Sequence, residues 1–516
     1  MRTILSTVAL FFALHFFAFA QPESFTSVNV GKLFPAEKPS NIKGIFHLGD
    51  GKIVSVRDMG EFLEIIHYNN DLQIEYKSQP IKFTYKQEEA KNYFKYTYLL
   101  KDDKIMIIFL QKYDKPDKWI VWANILYPNK ETLKYAEPVK IAEIYPKDQI
   151  EEYAITLSED KSKVLFTYYL NVKDPDKRDI VAHKVFTDDL TLLYECKLED
   201  INIISAPGGI YKLANNGKIV DVIPIKDESV SRRDKTQQDV FLMIYIFDTA
   251  GSIENTFTLK MNENIFFKDF DIQIDKNNIL RAAAVYSKDY ESIFSSGLFN
   301  FSIDLEHIKE PVYTRKEFPE NVVTEFNTPS KRNNLLKQKD KGEEIGIDYL
   351  TVSEIISNQD GYYTVMRSSW DYYNQGRLVY HFMSDYIIAS FSNDDQLLWI
   401  KKIPMSLRAT VRNYYTDNFI IKNDNLYILF FDSDENINNP EDVKNGKRDY
   451  VANYLVVYKI SKNGTVENRS VIDIKELGYS VSWIPYHHLV KNQDDEVILF
   501  FYDKDDASFL KVKLIN

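Results

Sequence analysis

The stretch YLLKDDKIMIIFLQKYD, Tyr98 to Asp114, holds a strand, a tight acidic turn, a second strand apolar from end to end, and a terminal aspartate. Its six residues from Ile105 to Leu110 are all apolar, a run too continuous for a sheet with one wet face and too short for a helix between charged turns. Such a strand is covered on both sides. The same kind of run recurs at Val164 to Leu170, Phe241 to Phe247, Leu426 to Phe431 and Val497 to Phe501, rich in the β-branched and aromatic residues that fit a pleated surface.

Taking one turn residue per unit gives Asp50, Asp103, Asp160, Asn216, Asn277, Asp360, Asp424 and Asp495, with spacings of 53, 57, 56, 61, 83, 64 and 71 residues. Each spacing holds a four-stranded blade of about 40 to 45 residues plus loops of varying length. Blades stack face to face, which makes their inner strands apolar on both sides, whereas sandwich strands alternate. The expectation is an all-β chain forming a β-propeller of about eight blades, with seven as the nearest alternative and two separate β-sandwiches as the competing architecture.

The chain ends carry the same logic. Phe25 to Leu33 reads as a lone strand, while Ile484 to Val490, Val497 to Tyr502 and Phe509 to Ile515 make three strands before Asn516. The N-terminal strand is expected to complete the last blade, pairing two edges that would otherwise template aggregation.

Met1 to Ala20 has a basic Arg2, an apolar run from Val8 to Phe19 and an A-x-A site at Ala18 to Ala20, the pattern of a secretory signal peptide. Residues 21–516 are then expected to be a single propeller domain with a mobile insertion at about 316–345, where PSKRNNLLKQKDKGEE lacks any period. No later stretch has the eighteen or more apolar residues of a membrane span. Export to the periplasm or the cell surface follows, and the usage rich in Lys, Ile, Asn and Tyr resembles that of a bacterium with an AT-rich genome.

Removing the leader takes one Arg from 64 basic residues and none of the 76 acidic ones, leaving a balance of −13 that repels phosphate backbones and argues against nucleic acid. Cys196 is the single cysteine, so no internal disulfide forms, and it reads as a small buried apolar residue. HExxH, CxxC, GxSxG and a phosphate-binding glycine loop are all missing, so no cofactor and no metal site is called for.

Tight turns such as LGDG, KDDK, NNGK and KNDN fall on one face of an up-and-down blade. Longer connections, at Tyr113 to Lys118, Asn171 to Asp179, Lys226 to Asp239, Arg367 to Asp385 and Asp432 to Asp449, fall on the other, where binding usually resides. An aspartate stands where each apolar strand ends: Asp58, Asp114, Asp174, Asp227, Asp289, Asp371, Asp432 and Asp503. Such a ring offers an acidic rim for Ca²⁺ or a basic partner, or a set of caps on backbone N–H groups. The loop DSDENINNPED (432 to 442) lacks EF-hand spacing and reads as solvated and acidic.

RSSWDYYNQGR (367 to 377) gathers Arg367, Trp370, Tyr372, Tyr373 and Arg377, and the same face is expected to carry Arg408, Arg412, Tyr414 and Tyr415, then Trp483 and Tyr486. Flat rings with guanidinium groups suit sugars or peptide segments, though such rings also pack beneath their own loops. His487 and His488 are adjacent, so a strand would aim them at opposite faces and away from a shared metal.

The blade-sized repeat resembles the broad class of secreted bacterial β-propeller proteins. SNDDQLLW (392 to 399) is similar to the Asp-box of sialidase-like propellers, S-x-D-x-G-x-x-W, with Ser392, Asp394 and Trp399 in place and Gln396 at the glycine. That box stabilises a turn, so the resemblance implies fold before activity. The expected function is an exported binding module presenting its long-loop face to a protein or glycan partner in the cell envelope; an accessory of an outer-membrane secretion or uptake machine fits this description. The alternative is a carbohydrate-active hydrolase or lyase with acidic residues in the propeller funnel. A carboxylate and a His within hydrogen-bond reach in a pocket favours the enzyme, and a broad patch around Trp370 favours the binder.

Overall fold

Eight antiparallel sheets, each with four strands in meander order, follow one another among the described residues and close into a ring, a β-propeller. The computed structural model describes residues 26–31, 34–35, 42–49, 51–60, 62–82, 91–114, 117–128, 134–144, 153–170, 179–201, 209–226, 240–260, 265–289, 291–374, 377–409, 418–438, 454–477, 490–491, 496–503 and 506–515. Blades 1 to 7 lie within 42–77, 91–144, 153–201, 210–259, 266–317, 350–409 and 418–473. Blade 8 takes Val490–Lys491, Glu496–Asp503 and Asp506–Leu514 from the C-terminal end and Thr26–Val30 from the N-terminal end. Val28 pairs directly with Val512, so the closure expected from the two chain ends is the one observed. First strands contact each other between blades 1 and 2, 3 and 4, 4 and 5, 5 and 6, and 8 and 1, which puts them at the centre of the ring.

The apolar runs explain the stacking residue by residue. In Ile105–Asp114, the second strand of blade 2, Ile105, Ile107 and Phe109 enter the core shared with blade 1, while Met106, Ile108 and Leu110 enter the core shared with blade 3. Successive strand residues point to opposite faces, so a continuous run feeds two interfaces at once. Blade 7 repeats the pattern: Leu426, Ile428 and Phe430 face blade 6, and Tyr427, Leu429 and Phe431 face blade 8. The ring closes through Ile42, Ile53 and Tyr68 of blade 1 against Ile498, Phe500 and Phe509 of blade 8.

Turn residues clip neighbouring blades. The Asp103 carboxylate accepts the Gly49 N–H at 2.9 Å, the Asn215 side chain accepts that of Asp160 at 3.0 Å, and Asn278 accepts that of Asn216 at 3.2 Å. Asp103 and Asn278 are left-handed, at φ 60° each, which Asn and Asp tolerate better than most residues. Between blades 5 and 6, the buried Arg281 reaches Asn393, while Asp395 accepts the hydroxyls of Ser302 at 2.6 Å and Tyr362 at 2.8 Å. The turn that resembles an Asp-box therefore engages its neighbour through Asp395, and Trp399 donates to the Lys462 carbonyl of blade 7 at 2.7 Å.

Three expectations are corrected. Tyr113 to Lys118 is not a long connection, because strands Ile105–Asp114 and Asp117–Tyr127 pair up to Asp114 and Asp117. Arg367 to Asp385 is likewise strand, Gly361–Asn374 and Arg377–Ser392, because its alternating aromatic and polar residues continue the pleat. The insertion at 316–345 is not an irregular excursion: it forms helices α1 (Glu320–Thr324) and α2 (Pro329–Asp340), with Thr328 capping α2 and Val322 and Val323 buried against blades 5 and 6. Its charges hid the period because α2 presents no buried residue.

Two buried polar sites fasten the interfaces. Between blades 3 and 4, Nε2 of His183 lies 2.8 Å from Asp221 Oδ2 and Nδ1 lies 2.9 Å from Thr167 Oγ1, with the His and Asp side chains wholly buried. Between blades 6 and 7, Asp432 is 2% exposed, and burial pushes its carboxyl up to about 7. Bonds from Asn436, Ser433 and Ser406 pull it down, and nearby Asp385 pushes it up again. Lys402 sits 3.4 Å from Asp385 and donates at 2.7 Å to the Glu325 carbonyl that ends α1.

Burial pushes the Asp221 carboxyl up and His183 draws it back; replacing His183 by Ala leaves this buried group without its hydrogen-bond partner, and urea denaturation should show a loss of about 1–3 kcal/mol. For Asp432, the folded chain keeps a proton that the unfolded chain releases above about pH 4, so this stabilisation is full below that pH and fades as pH rises to 7. Chemical denaturation across pH 4.5 to 7.5 should therefore show Asp432→Asn gaining on the wild type by a few kcal/mol as pH rises; a constant difference would refute the shift.

Candidate functional site

Blade 6 departs from the common plan. Its second, third and fourth strands, Gly361–Asn374, Arg377–Ser392 and Leu397–Ala409, have 14, 16 and 13 residues, while the matching strands of blade 7 have 8, 7 and 8. The first strand, Leu350–Ser357, has only 8, and its pairing with the second ends at Leu350 opposite Ser368. Residues 369–374, 377–384 and 404–409 thus run past the first strand as a three-stranded ribbon. The hairpin closes at Asn374 opposite Arg377, with two residues, Gln375 and Gly376, to connect them.

Beside this ribbon lies a depression of about 500 Å³ lined by Tyr349, Arg367, Ser369, Trp370, Asp371, His381, Phe382 and Met383. Cross-strand register puts Trp370 opposite Phe382 and Asp371 opposite His381. Pairs directly opposite share a face, so the register sets Trp370 beside Phe382 and Asp371 beside His381, and both pairs line the depression. The Trp370 and Phe382 rings are stacked at 5.0 Å and 6°, and Tyr349 stacks on Trp370 at 5.7 Å and 27°. On the polar side, Asp371 Oδ1 meets His381 Nδ1, and its Oδ2 accepts the Tyr373 hydroxyl at 3.2 Å. His381 is 3% exposed, so it is presented to the depression from within the sheet.

Tyr349 is held in an unusual backbone state. Its φ of 52° is left-handed, rare for an aromatic residue. Its N–H donates to the Ile293 carbonyl at 2.8 Å and its carbonyl accepts the Ser369 N–H at 3.1 Å. Short pairing of Phe294–Ser295 with Ile347–Asp348 fixes the approach to it.

The residues singled out from the sequence separate into three groups. Arg367 and Trp370 line the depression, with Trp370 built into its wall instead of standing free. Tyr372 and Tyr373 project from the ribbon at 51% and 54% exposure. Arg377 ends the hairpin on the third strand, while Arg412, Tyr414, Tyr415, Trp483 and Tyr486 lie outside the described residues, as do His487 and His488. Sequence reasoning missed Tyr349, Ser369, His381 and Phe382, and it read Asp371 as one of a ring of caps. Counting outward from the Asn374–Arg377 closure with one bulge residue would have set Asp371 across from His381.

The other strand-end aspartates behave as caps where their carboxylates are described: Asp58 accepts the Gly60 N–H at 2.8 Å, Asp289 that of Glu291 at 3.0 Å, and Asp432 that of Ser433 at 2.8 Å. Asp432 begins no cation loop, since Asp434–Asn438 turns into a short helix, and among the described residues no three His, Cys, Asp or Glu converge as metal ligands. Acidic residues on a central strand do occur in blade 5. Burial pushes the Asp269 carboxyl up to about 6, and it accepts the Val352 N–H of blade 6 at 2.8 Å. Asp271 is likewise raised by burial, with Lys212 beside it drawing it back. Among the described residues no helix is long and apolar enough to cross a membrane.

No protein-family model matches the chain, and no curated protein matches it. Among solved structures it is similar to the WD40 domain of SCAP from fission yeast, at 11% identity and TM-score 0.37 over 96% of this chain and 99% of that one. It is also similar to the β-propeller domain of the Trilobed protease from Pyrococcus furiosus, at 11% identity and TM-score 0.32 over 84% and 94%. A third is prolyl oligopeptidase B from Galerina marginata, at 9% identity and TM-score 0.36, covering 94% of this chain and 56% of that one. At these identities the likeness is one of fold.

Proposed function

We propose that this chain is an exported binding module of a bacterial cell envelope, a single propeller domain whose working surface is the blade 6 ribbon. The supporting observation is the exposure there of Tyr372 and Tyr373, next along the strand to Trp370 of the Tyr349–Trp370–Phe382 stack, on a part of the sheet that outruns its own first strand. Tyrosine supplies contact area and a hydroxyl at small entropic loss, the property that places it at the centre of interfaces. A rigid β-ribbon also holds such rings more accurately than a loop does. The partner is a protein or a glycan, met in the periplasm or at the cell surface after removal of Met1 to Ala20.

A second reading, a carbohydrate-active enzyme, draws support from the Asp371–His381 pair. A carboxylate on Nδ1 orients an imidazole for proton transfer at its other nitrogen. The two blade 5 carboxylates stand on a different blade, and Asp269 is engaged in holding blade 6, so the binding reading is preferred.

Capture from envelope fractions tests it. The Tyr372→Ala/Tyr373→Ala double variant should keep wild-type circular dichroism and thermal midpoint and lose its partner by at least about tenfold, the scale of a 1.4 kcal/mol contact. If the same partners are retained at wild-type strength, the ribbon is not the working surface.

A further inference from the structure

We propose that the depression beside the blade 6 ribbon is a binding site for an uncharged, hydroxyl-rich ligand: a hexose or a short neutral oligosaccharide. This rests on the reading of the ribbon as the working surface and adds the chemistry of what enters beside it. Two independent features carry it, the composition of the lining and the strained residue that completes the wall.

The lining offers flat rings and a balanced polar set in one space. Trp370, Phe382 and Tyr349 make the apolar side, and Arg367, Ser369, Asp371 and His381 the polar side. The fixed charges are one guanidinium and one carboxylate, so an anion would meet Asp371 and a cation would meet Arg367. A sugar suits both, because each hydroxyl donates and accepts while the C–H faces of the ring lie against aromatic surface. Asp371 is already oriented by His381 and by the Tyr373 hydroxyl, which lessens the ordering required on binding. The volume of about 500 Å³ falls within the range of small-molecule sites.

Tyr349 points the same way. A tyrosine at φ 52° is unfavourable, yet backbone bonds to Ile293 and Ser369 on either side hold it there and its ring lies over Trp370. Glycine would satisfy the backbone without strain. Strain that persists when a smaller residue would relieve it is characteristic of ligand-contacting positions.

The test uses saturation-transfer NMR and isothermal titration of the full chain with glucose, galactose, mannose, N-acetylglucosamine and their disaccharides, beside glucose 6-phosphate and a mixed pentapeptide pool. At least one neutral sugar should bind with a Kd of millimolar or tighter. Tyr349→Gly should keep or raise the thermal midpoint and weaken that binding at least about tenfold, as should the isosteric Asp371→Asn. The proposal is overturned if no neutral sugar binds, if only the phosphorylated sugar or the peptides bind, or if both variants bind sugar like the wild type. Tyr372 and Tyr373 do not line the depression. Because the Tyr373 hydroxyl orients Asp371, the arm that separates the two readings uses Tyr372→Ala alone: loss of partner capture with sugar binding intact, or the reverse, tells failure of one reading from failure of the other.

Discussion

Among the described residues the second strand of each blade buries both of its faces, and the rest of the structure follows from that demand. A sheet can satisfy it only with another sheet on each side, so each blade needs two neighbours and the series has no end until it meets its own beginning. Alternate residues of the Ile105 to Leu110 run go to the cores shared with blades 1 and 3. Each side chain removed from water contributes roughly 1.5–3 kcal/mol, so the runs together outweigh anything the turns supply. Ring closure is the same interaction once more, with Thr26–Val30 supplying the outer strand that the C-terminal residues lack.

Apolar stacking is non-directional and leaves the sheets free to slide. The polar contacts between blades remove that freedom. Asp103 on Gly49, Asn215 on Asp160 and Asn278 on Asn216 act at the turns, where bonds are exposed and individually modest. His183 with Asp221, and Lys402 with Asp385, act inside, where a misplaced partner would leave a buried charge. Lys402 also reaches the end of α1, so the insertion is tied to the ring through the outer strand of blade 6.

Blade 6 is where the two-sided rule lapses. Its ribbon extends beyond its own first strand, and the same alternation that buries side chains elsewhere there leaves Tyr372 and Tyr373 in solvent. Trp370 and Phe382 recover cover from each other and from Tyr349, which the preceding segment delivers in a strained conformation. The depression thus lies where the strands outrun their support, beside the Asp371–His381 pair.

The all-β class, the blade number and the meeting of the chain ends were legible in the residues, because hydrophobic period and turn composition are local and each unit repeats them. Asp103 and Asn216 were found as turn residues for that reason. The length of the blade 6 ribbon was partly legible: RSSWDYYNQGR alternates like a strand, and reading its aromatics as loop obscured this. The α helices of 316–345 were not legible from the charged sequence of α2, which has no fully buried residue and packs on the core through Leu335 alone, too little for a stripe. Contacts made by strands that meet only after folding were beyond reach: Thr167, His183 and Asp221 come from three strands in two blades, and Tyr349 reaches Trp370 across a sheet boundary. The sequence by itself determined that sheets would stack and that there would be about eight, because burial acts on each strand separately; the ring fixed the count at eight. Which polar and aromatic groups converge was decided only by register, bulges and the placing of one blade against the next, since those set direction as well as burial.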